Sequence, residues 1–96
     1  MKIYYVYILE CIDGTYYTGI TSDLDQRLME HISGKYTGSY TFNRRPVKLV
    51  FYSEFTDPGL AISKEKQIKK WSKLKKQALI SGDYEALPNL AKKRFR

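Results

Sequence analysis

Residues 4–20 read YYVYILECIDGTYYTGI, in which two runs of tyrosine and aliphatic residues lie on either side of Asp13-Gly14. Tyrosine and β-branched residues favour strands, and Asp-Gly is a preferred turn between the strands of a β-hairpin. The stretch therefore predicts two strands, over about residues 3–12 and 15–21. The hairpin brings together two tyrosine clusters, one from each strand.

The length of the turn decides whether Tyr7 and Tyr17 share a face of this hairpin. A two-residue turn at Asp13-Gly14 puts the two rings on opposite faces. A three-residue loop over 12–14, with its glycine in the left-handed conformation and a bulge, puts them on one face. Gly19 then lies opposite Tyr7, where the missing side chain leaves room for a close approach. We predict the three-residue loop, and the two-residue turn is the alternative.

Beyond the hairpin, apolar periodicity and capping residues predict one more strand and three helices. The first helix begins after the N-cap Ser22 and ends near Ser33, and the sequence GKYTGSYTFNRRP that follows is a polar loop. The later elements are a strand over Val47–Phe55, a helix from the N-cap Asp57 to about Lys70, and a helix from Ser72 to Gly82. The order ββαβαα predicts a small α+β domain with a three-stranded antiparallel sheet flanked by helices. Alternation along the third strand assigns one face to Val47, Leu49, Phe51 and Phe55.

The size and composition of the chain limit its domain organisation and its location. With 96 residues there is room for one core, which we assign to residues 1–82, followed by a basic C-terminal tail at 83–96. The single cysteine, Cys11, excludes an internal disulfide and a multi-cysteine zinc site. The longest apolar run, Val6–Leu9, is far shorter than the ~18 residues of a membrane helix. We expect a cytoplasmic, soluble protein without a membrane partner.

The positive charge of the chain lies in its last third. Residues 1–63 contain six Lys or Arg and seven Asp or Glu, whereas residues 64–96 contain eleven and three. The first part therefore has a formal charge of −1 and the second +8. This asymmetry indicates a polyanionic partner, with nucleic acid first, and a merely solvated helix face is the alternative.

Polar residues occupy positions of two predicted helices where the pattern favours apolar ones. In the first helix the apolar template passes through Arg27 and His31, which lie four residues apart and leave the same face. In the second helix, Glu65 lies beside the apolar stripe. The alternatives are an arginine and histidine at the edge of the stripe and an exposed glutamate in a lysine-rich run.

Together and in order, these residues resemble the GIY-YIG nuclease superfamily, and in particular its short stand-alone bacterial members. The resemblance rests on Tyr5-Val6-Tyr7, Tyr17-Thr18-Gly19, Leu24-x-x-Arg27-x-x-x-His31 and Glu65, and it extends over about residues 4–77. The chain departs from the family pattern at Tyr5-Val6, where the family has Gly-Ile, and at Thr18, where it has Ile. Many members also have an asparagine beyond the glutamate, and here Gln77 is the nearest amide.

The resemblance implies hydrolysis of a nucleic-acid phosphodiester, DNA favoured, with one divalent metal, Mg²⁺ or Mn²⁺. It implies that Glu65 binds the metal, Tyr7 is the general base, and Arg27 holds the scissile phosphate. Tyr17 and His31 would orient water or phosphate, and Gly19 would let the backbone pass close to the site. Sequence-independent affinity for the nucleic-acid backbone would come from the basic residues Arg44, Arg45, Lys64, Lys66, Lys69, Lys70 and Lys73.

Two other functions are open on the same sequence. One is a catalytically inactive nucleic-acid-binding module, which needs the basic C-terminal third but no metal. The other is a protein-interaction domain, such as a subunit of a DNA repair complex, with a protein partner. Salt-sensitive DNA binding would distinguish the first from the second, and metal-dependent turnover would distinguish both from a nuclease.

Overall fold

The computed structural model describes residues 1–82, so the predicted tail at 83–96 lies outside the described residues. Three strands form one antiparallel sheet in the order β2-β1-β3, which makes β1 the central strand. The predicted α+β class and the order ββαβαα are confirmed. The elements are β1 Tyr4–Cys11, β2 Tyr16–Thr21, α1 Leu24–Ser33, a 3₁₀ turn Phe42–Arg44, β3 Val47–Phe55, α2 Pro58–Lys69 and α3 Lys73–Ser81.

The hairpin between β1 and β2 closes through the three-residue loop. Cys11 N donates to Thr15 O at 2.9 Å, and Gly14, with φ of 82°, donates to Cys11 O at 2.9 Å. A positive φ of this kind favours glycine, which has no Cβ to clash with its own backbone. Tyr7 consequently pairs with Gly19, as the sequence predicts.

A bulge at Val50 interrupts the third strand. Phe51 is opposite Ile8, whereas Leu49 is opposite Leu9, so Val50 is the extra residue on β3. An extra residue reverses the side-chain alternation beyond it. The prediction of a single face for all four apolar residues of this strand is therefore wrong. Val47 and Leu49 lie on one face of the sheet, and Phe51 and Phe55 lie on the other.

Both faces of the sheet are covered. On one face, the buried cluster joins β1 to α2 and α3, and its members are Val6, Ile8, Ala61, Ile68 and Leu79. On the other face, the cluster is Tyr7, Leu9, Cys11 and Val47, and the half-buried Leu24 and Leu28 of α1 pack against it. Burial on both faces explains why β1 reads as a continuous apolar run rather than an alternating one.

The helices begin after the predicted N-cap residues, with one exception. The N-cap of α1 is Asp23, whose carboxylate accepts from Gln26 N at 3.1 Å, so the prediction of Ser22 is wrong by one residue. The N-cap of α2 is Asp57, which accepts from Leu60 N at 2.9 Å, as predicted. Within residues 1–82, none of the helices has the length and apolar character needed to cross a bilayer.

Candidate active site

Tyr7 is a buried phenol on the central strand. Its side chain is 1% exposed, and its ring extends across Gly19 of the neighbouring strand β2. A Cβ atom on Gly19 would lie 2.5 Å from both Cζ and Oη of Tyr7, and 3.0 Å from Cε2 of Tyr17. Only a residue without a side chain therefore leaves space for the two rings at this position.

Three aromatic rings meet on this face of the sheet. The ring centroids of Tyr7 and Tyr17 are 6.3 Å apart, and that of His31 is 5.9 Å from Tyr7 and 5.2 Å from Tyr17. His31 is the only buried residue of α1, and its position on the helix face that contacts the sheet follows from the apolar template. The two tyrosines of the hairpin and the histidine are thus brought together, as the sequence predicts.

A chain of hydrogen bonds runs from Tyr7 through His31 into the loop that follows α1. Tyr7 Oη is 3.0 Å from His31 Nε2, and His31 Nδ1 is 2.8 Å from Thr41 Oγ1. Thr41 Oγ1 is in turn 3.2 Å from Ser39 Oγ. Sequence reasoning missed both hydroxyl residues, and the only signal it had was the polarity of the loop.

Burial and neighbouring charges set the protonation of this pair. The pKa of His31 lies below its ordinary value because of burial and then the nearby Arg27, and Glu30 offsets part of that effect. The pKa of Tyr7 is raised well above its ordinary value, mainly by burial and then by Tyr17, although Arg27 lowers it. At neutral pH the pair is therefore a protonated phenol beside a neutral imidazole.

Arg27 lies on α1 one turn before His31, and its side chain is 42% exposed. Its Nε is 3.6 Å from Glu30 Oε1, and Glu30 also contacts Lys35 at 3.7 Å and accepts from Gln26 Nε2 at 3.1 Å. The guanidinium borders a shallow cleft, and among residues 1–82 its only ion-pair partner is Glu30. It can therefore turn toward an incoming anion by exchanging one partner.

Glu65 is a buried carboxylate on α2, 8% exposed. Its Oε2 is 2.7 Å from Lys69 Nζ, and Lys69 is half exposed. The hydrogen bond to Glu65 raises the pKa of Lys69, and Tyr17 adds to that rise. Glu65 also contributes to the raised pKa of Tyr7. The carboxylate and its lysine thus lie within electrostatic reach of the tyrosine pair, although α2 covers the opposite face of the sheet.

One buried carboxylate limits which metal this site could hold. Among residues 1–82 there is no group of three or more His, Cys, Asp or Glu that could surround an ion. Mg²⁺ keeps several waters and often takes only one or two carboxylates together with substrate phosphate. Glu65 therefore fits Mg²⁺ or Mn²⁺ held largely by water and substrate, and its exposed partner Lys69 can move aside.

The two arginines predicted to bind nucleic acid have structural partners. Arg44 Nε is 3.2 Å from Asp13 Oδ2, and its Nη1 donates to Tyr40 O at 2.7 Å. Arg45 Nε donates to Phe42 O at 2.9 Å. These bonds fasten the loop after α1 to the hairpin and to itself, so a role for either arginine in binding phosphate stays a prediction.

The predicted lysines lie on α2 and at the start of α3. Lys64 is half buried, and the other four are exposed, namely Lys66, Lys69, Lys70 and Lys73. Lys73 Nζ lies over the hairpin turn, 3.7 Å from the place where a Cβ of Gly14 would be. The lysines are therefore spread over two helices, and Lys69 is the one that interacts with the charge of Tyr17.

Along the chain, the site residues follow the order tyrosine, tyrosine, glycine, arginine and histidine. This is the order that the sequence analysis found to resemble one nuclease family. Residues 3–78 match the family model described as the GIY-YIG catalytic domain. The chain belongs to the GIY-YIG family. A UPF0213 protein of Syntrophus aciditrophicus is 48% identical over 83 residues, which is 86% of this chain and 95% of that protein.

Two solved structures are similar to this GIY-YIG domain. The solution NMR structure of a UPF0213 protein from Bacillus halodurans has 44% identity and a TM-score of 0.55, and the match covers 82% of this chain and 83% of that one. The solution NMR structure of a protein from E. faecalis has 36% identity and a TM-score of 0.59, with coverage of 88% and 90%. Both matches extend over most of the sheet and helices described above.

Proposed function

We propose that this protein is a metal-dependent nuclease that hydrolyses phosphodiester bonds of nucleic acid, with DNA as the favoured substrate. The observation that carries the proposal is the buried contact between Tyr7 and His31. A phenol with so high a pKa stays protonated at neutral pH, so it can take a proton from water only if it passes its own proton to a second group. The neutral imidazole at 3.0 Å is such a group, and a binding module would not need it.

Each residue of the site then has a role that its surroundings support. Tyr7 is the general base for the attacking water, and His31 accepts the proton of the phenol. Arg27, with a planar guanidinium that matches two phosphate oxygens, leaves Glu30 to bind the scissile phosphate. Glu65 would hold the divalent ion, which supplies stabilisation of the negative charge that develops on the phosphate oxygens and the leaving group.

The lysines of α2 and α3 supply affinity that does not depend on base sequence. The ammonium groups of Lys66, Lys70 and Lys73 belong to exposed residues, and an ammonium group interacts with a backbone phosphate as a point charge. Binding of this kind weakens steeply as salt concentration rises. Nicking without strong sequence preference is the activity expected of residues 1–82 alone.

The test is nicking of supercoiled plasmid in Mg²⁺ or Mn²⁺ by the wild type and by Tyr7→Phe and Glu65→Gln. Each change removes one reactive group and keeps the volume of the side chain, so the fold is retained. Matched controls are Tyr52→Phe and Glu54→Gln, which make the same changes at exposed positions of β3. Loss of nicking in the two site variants and not in the controls is the expected result.

Three other results would contradict the proposal as stated. Equal nicking by wild type and Glu65→Gln would show that a contaminant cleaves the plasmid or that Glu65 lies outside the site. No nicking by the wild type, together with salt-sensitive DNA binding, would favour the inactive nucleic-acid-binding module. Absence of both nicking and binding would favour the protein-interaction domain.

A further inference from the structure

Thr41 is a buried hydroxyl whose partner is the histidine of the site. It is 1% exposed, it belongs to the loop between α1 and β3, and its Oγ1 lies 2.8 Å from His31 Nδ1. Its second partner is Ser39 Oγ at 3.2 Å, on the half-buried side of the loop. The Thr41 hydroxyl therefore lies between the imidazole of His31 and the hydroxyl of Ser39, whose oxygen can accept the Thr41 proton.

The two partners of His31 decide which ring nitrogen carries the proton of the neutral imidazole. If Nδ1 carries it, Thr41 Oγ1 accepts that bond, and the lone pair of Nε2 faces the phenol of Tyr7. If Nε2 carries it, the ring donates to the phenol oxygen and has no lone pair there to receive a proton. Only the first tautomer lets the imidazole take a proton from Tyr7.

We propose that Thr41 is a positioning residue, whose hydroxyl accepts the Nδ1–H of His31 and so keeps Nε2 free for the proton of Tyr7. The proposal rests on the proposed function for its consequence in catalysis, and on the hydrogen-bond chain for its geometry. Ser39 Oγ, at 3.2 Å, is then available to accept the proton of the Thr41 hydroxyl. Loss of the hydroxyl removes the only group that faces Nδ1 among the described residues.

The proton and electron movements of the step balance within this arrangement. The oxygen of the attacking water forms a bond to phosphorus and gives one of its two protons to the oxygen of Tyr7. The bond from phosphorus to the leaving oxygen breaks, and the leaving group departs as an alkoxide that takes a proton from solvent. The original proton of the phenol moves to His31 Nε2, which gives an imidazolium. Because Nδ1–H is present before and after, Thr41 is an acceptor throughout, and no hydroxyl has to rotate during the step.

The charged and titratable groups around His31 agree with a neutral ring at rest. Tyr7 and Tyr17 face it from the sheet, and Arg27 and Glu30 act on it from its own helix. Thr41 and Ser39, which face it from the loop, are uncharged. Arg27 disfavours the imidazolium and Glu30 favours it, so the ring can receive a proton without keeping it.

The tautomer can be read directly, because His31 is the only histidine of the chain. Long-range ¹H–¹⁵N correlation spectra of the full-length, ¹⁵N-labelled, metal-free protein distinguish a protonated ring nitrogen from an unprotonated one. We expect the Nδ1–H form in the wild type and in Thr41→Ser, which keeps the hydroxyl. In Thr41→Val, which has almost the same shape, we expect a shift toward the Nε2–H form.

The same variants are compared for plasmid nicking across a pH series. General-base assistance is worth about 10²–10⁴-fold, so losing the correct tautomer in Thr41→Val should slow nicking on the order of 10- to 100-fold, with rescue in Thr41→Ser. The matched control is Thr18→Val, at a threonine that is 3% exposed and whose Oγ1 has no hydrogen-bond partner among the described residues. It should nick at the wild-type rate.

The two proposals fail in different ways. An Nε2–H imidazole in the wild type, or an unchanged tautomer in Thr41→Val, would overturn the role of Thr41 whatever the rate of nicking. Equal slowing in Thr41→Ser and Thr41→Val would do the same, since the hydroxyl would then be irrelevant. An Nδ1–H imidazole in a wild type that cleaves nothing would overturn the nuclease and support the positioning of the ring.

Discussion

Replacing Gly19 by alanine tests whether the two tyrosines need the space above that residue. The new methyl carbon would be 2.5 Å from Tyr7 Cζ and Oη, well inside van der Waals contact, and 3.0 Å from Tyr17 Cε2. The phenol of Tyr7 is 1% exposed and lies against His31, so it has no empty space to enter. The ring must therefore tilt, and its bond to His31 Nε2 must lengthen.

The cost of Gly19→Ala can be estimated from two opposing effects. Overpacking a well-packed site by one carbon costs about 1–3 kcal/mol. Alanine also restricts the unfolded chain, which returns about 0.4–1 kcal/mol where the native backbone suits it. Taking the middle of each range, the net loss is about 1.3 kcal/mol, which lowers Tm by roughly 5–10 °C for a domain of this size.

The assay is urea or thermal unfolding followed by circular dichroism, combined with plasmid nicking. Gly38→Ala is the matched control, because a Cβ at Gly38 would meet nothing within 4 Å and its φ is not positive. That variant should unfold within about 0.5 kcal/mol of the wild type. Unchanged stability and full nicking in Gly19→Ala would refute the close approach of Tyr7.

Three further changes test other parts of the site. Glu30→Gln frees Arg27 and should tighten binding to a short DNA duplex in fluorescence anisotropy, with the unfolding free energy changed by less than about 1 kcal/mol; an unchanged Kd would mean that Glu30 does not compete with phosphate. Folding lowers the pKa of His31 from its ordinary 6.5, so as pH falls the unfolded chain takes up a proton before the folded one does. The contribution of His31 to the unfolding free energy is therefore full above pH 6.5 and is lost as pH falls below that value. Urea unfolding in this pH range should show a slope that His31→Gln lacks, and equal slopes would contradict a buried neutral ring. Arg44→Met removes the ion pair with Asp13 and the bond to the loop carbonyl, and should cost about 1 kcal/mol in urea unfolding; full stability would show that other contacts hold the loop.

The hairpin and its tyrosines could be predicted because local constraints determine them. Once the turn length is chosen, the pairing of every residue in both strands follows, including Tyr7 with Gly19. The departure from the family pattern at Thr18 also has a local explanation. Thr18 pairs with Ile8 and therefore lies on the opposite face of the sheet from Tyr17, so its side chain does not enter the site.

The bulge at Val50 and the hydrogen bond from Thr41 could not be predicted from local patterns. A bulge shifts the alternation by one residue, and because the adjacent residues Leu49, Val50 and Phe51 are all apolar, the pattern of β3 does not show where the shift occurs. The position of Thr41 depends on its loop, which the ion pair between Arg44 and Asp13 connects to the hairpin turn. Such long-range contacts exist only after the chain has folded.

The coverage of both sheet faces determines the direction from which a substrate can arrive. With α1 on one face and α2 on the other, the central strand is closed to a ligand from above and from below. Tyr7 reaches across β2, an edge strand of the sheet in residues 1–82, and Glu65 lies on the helix beneath. A nucleic-acid strand would therefore pass alongside β2.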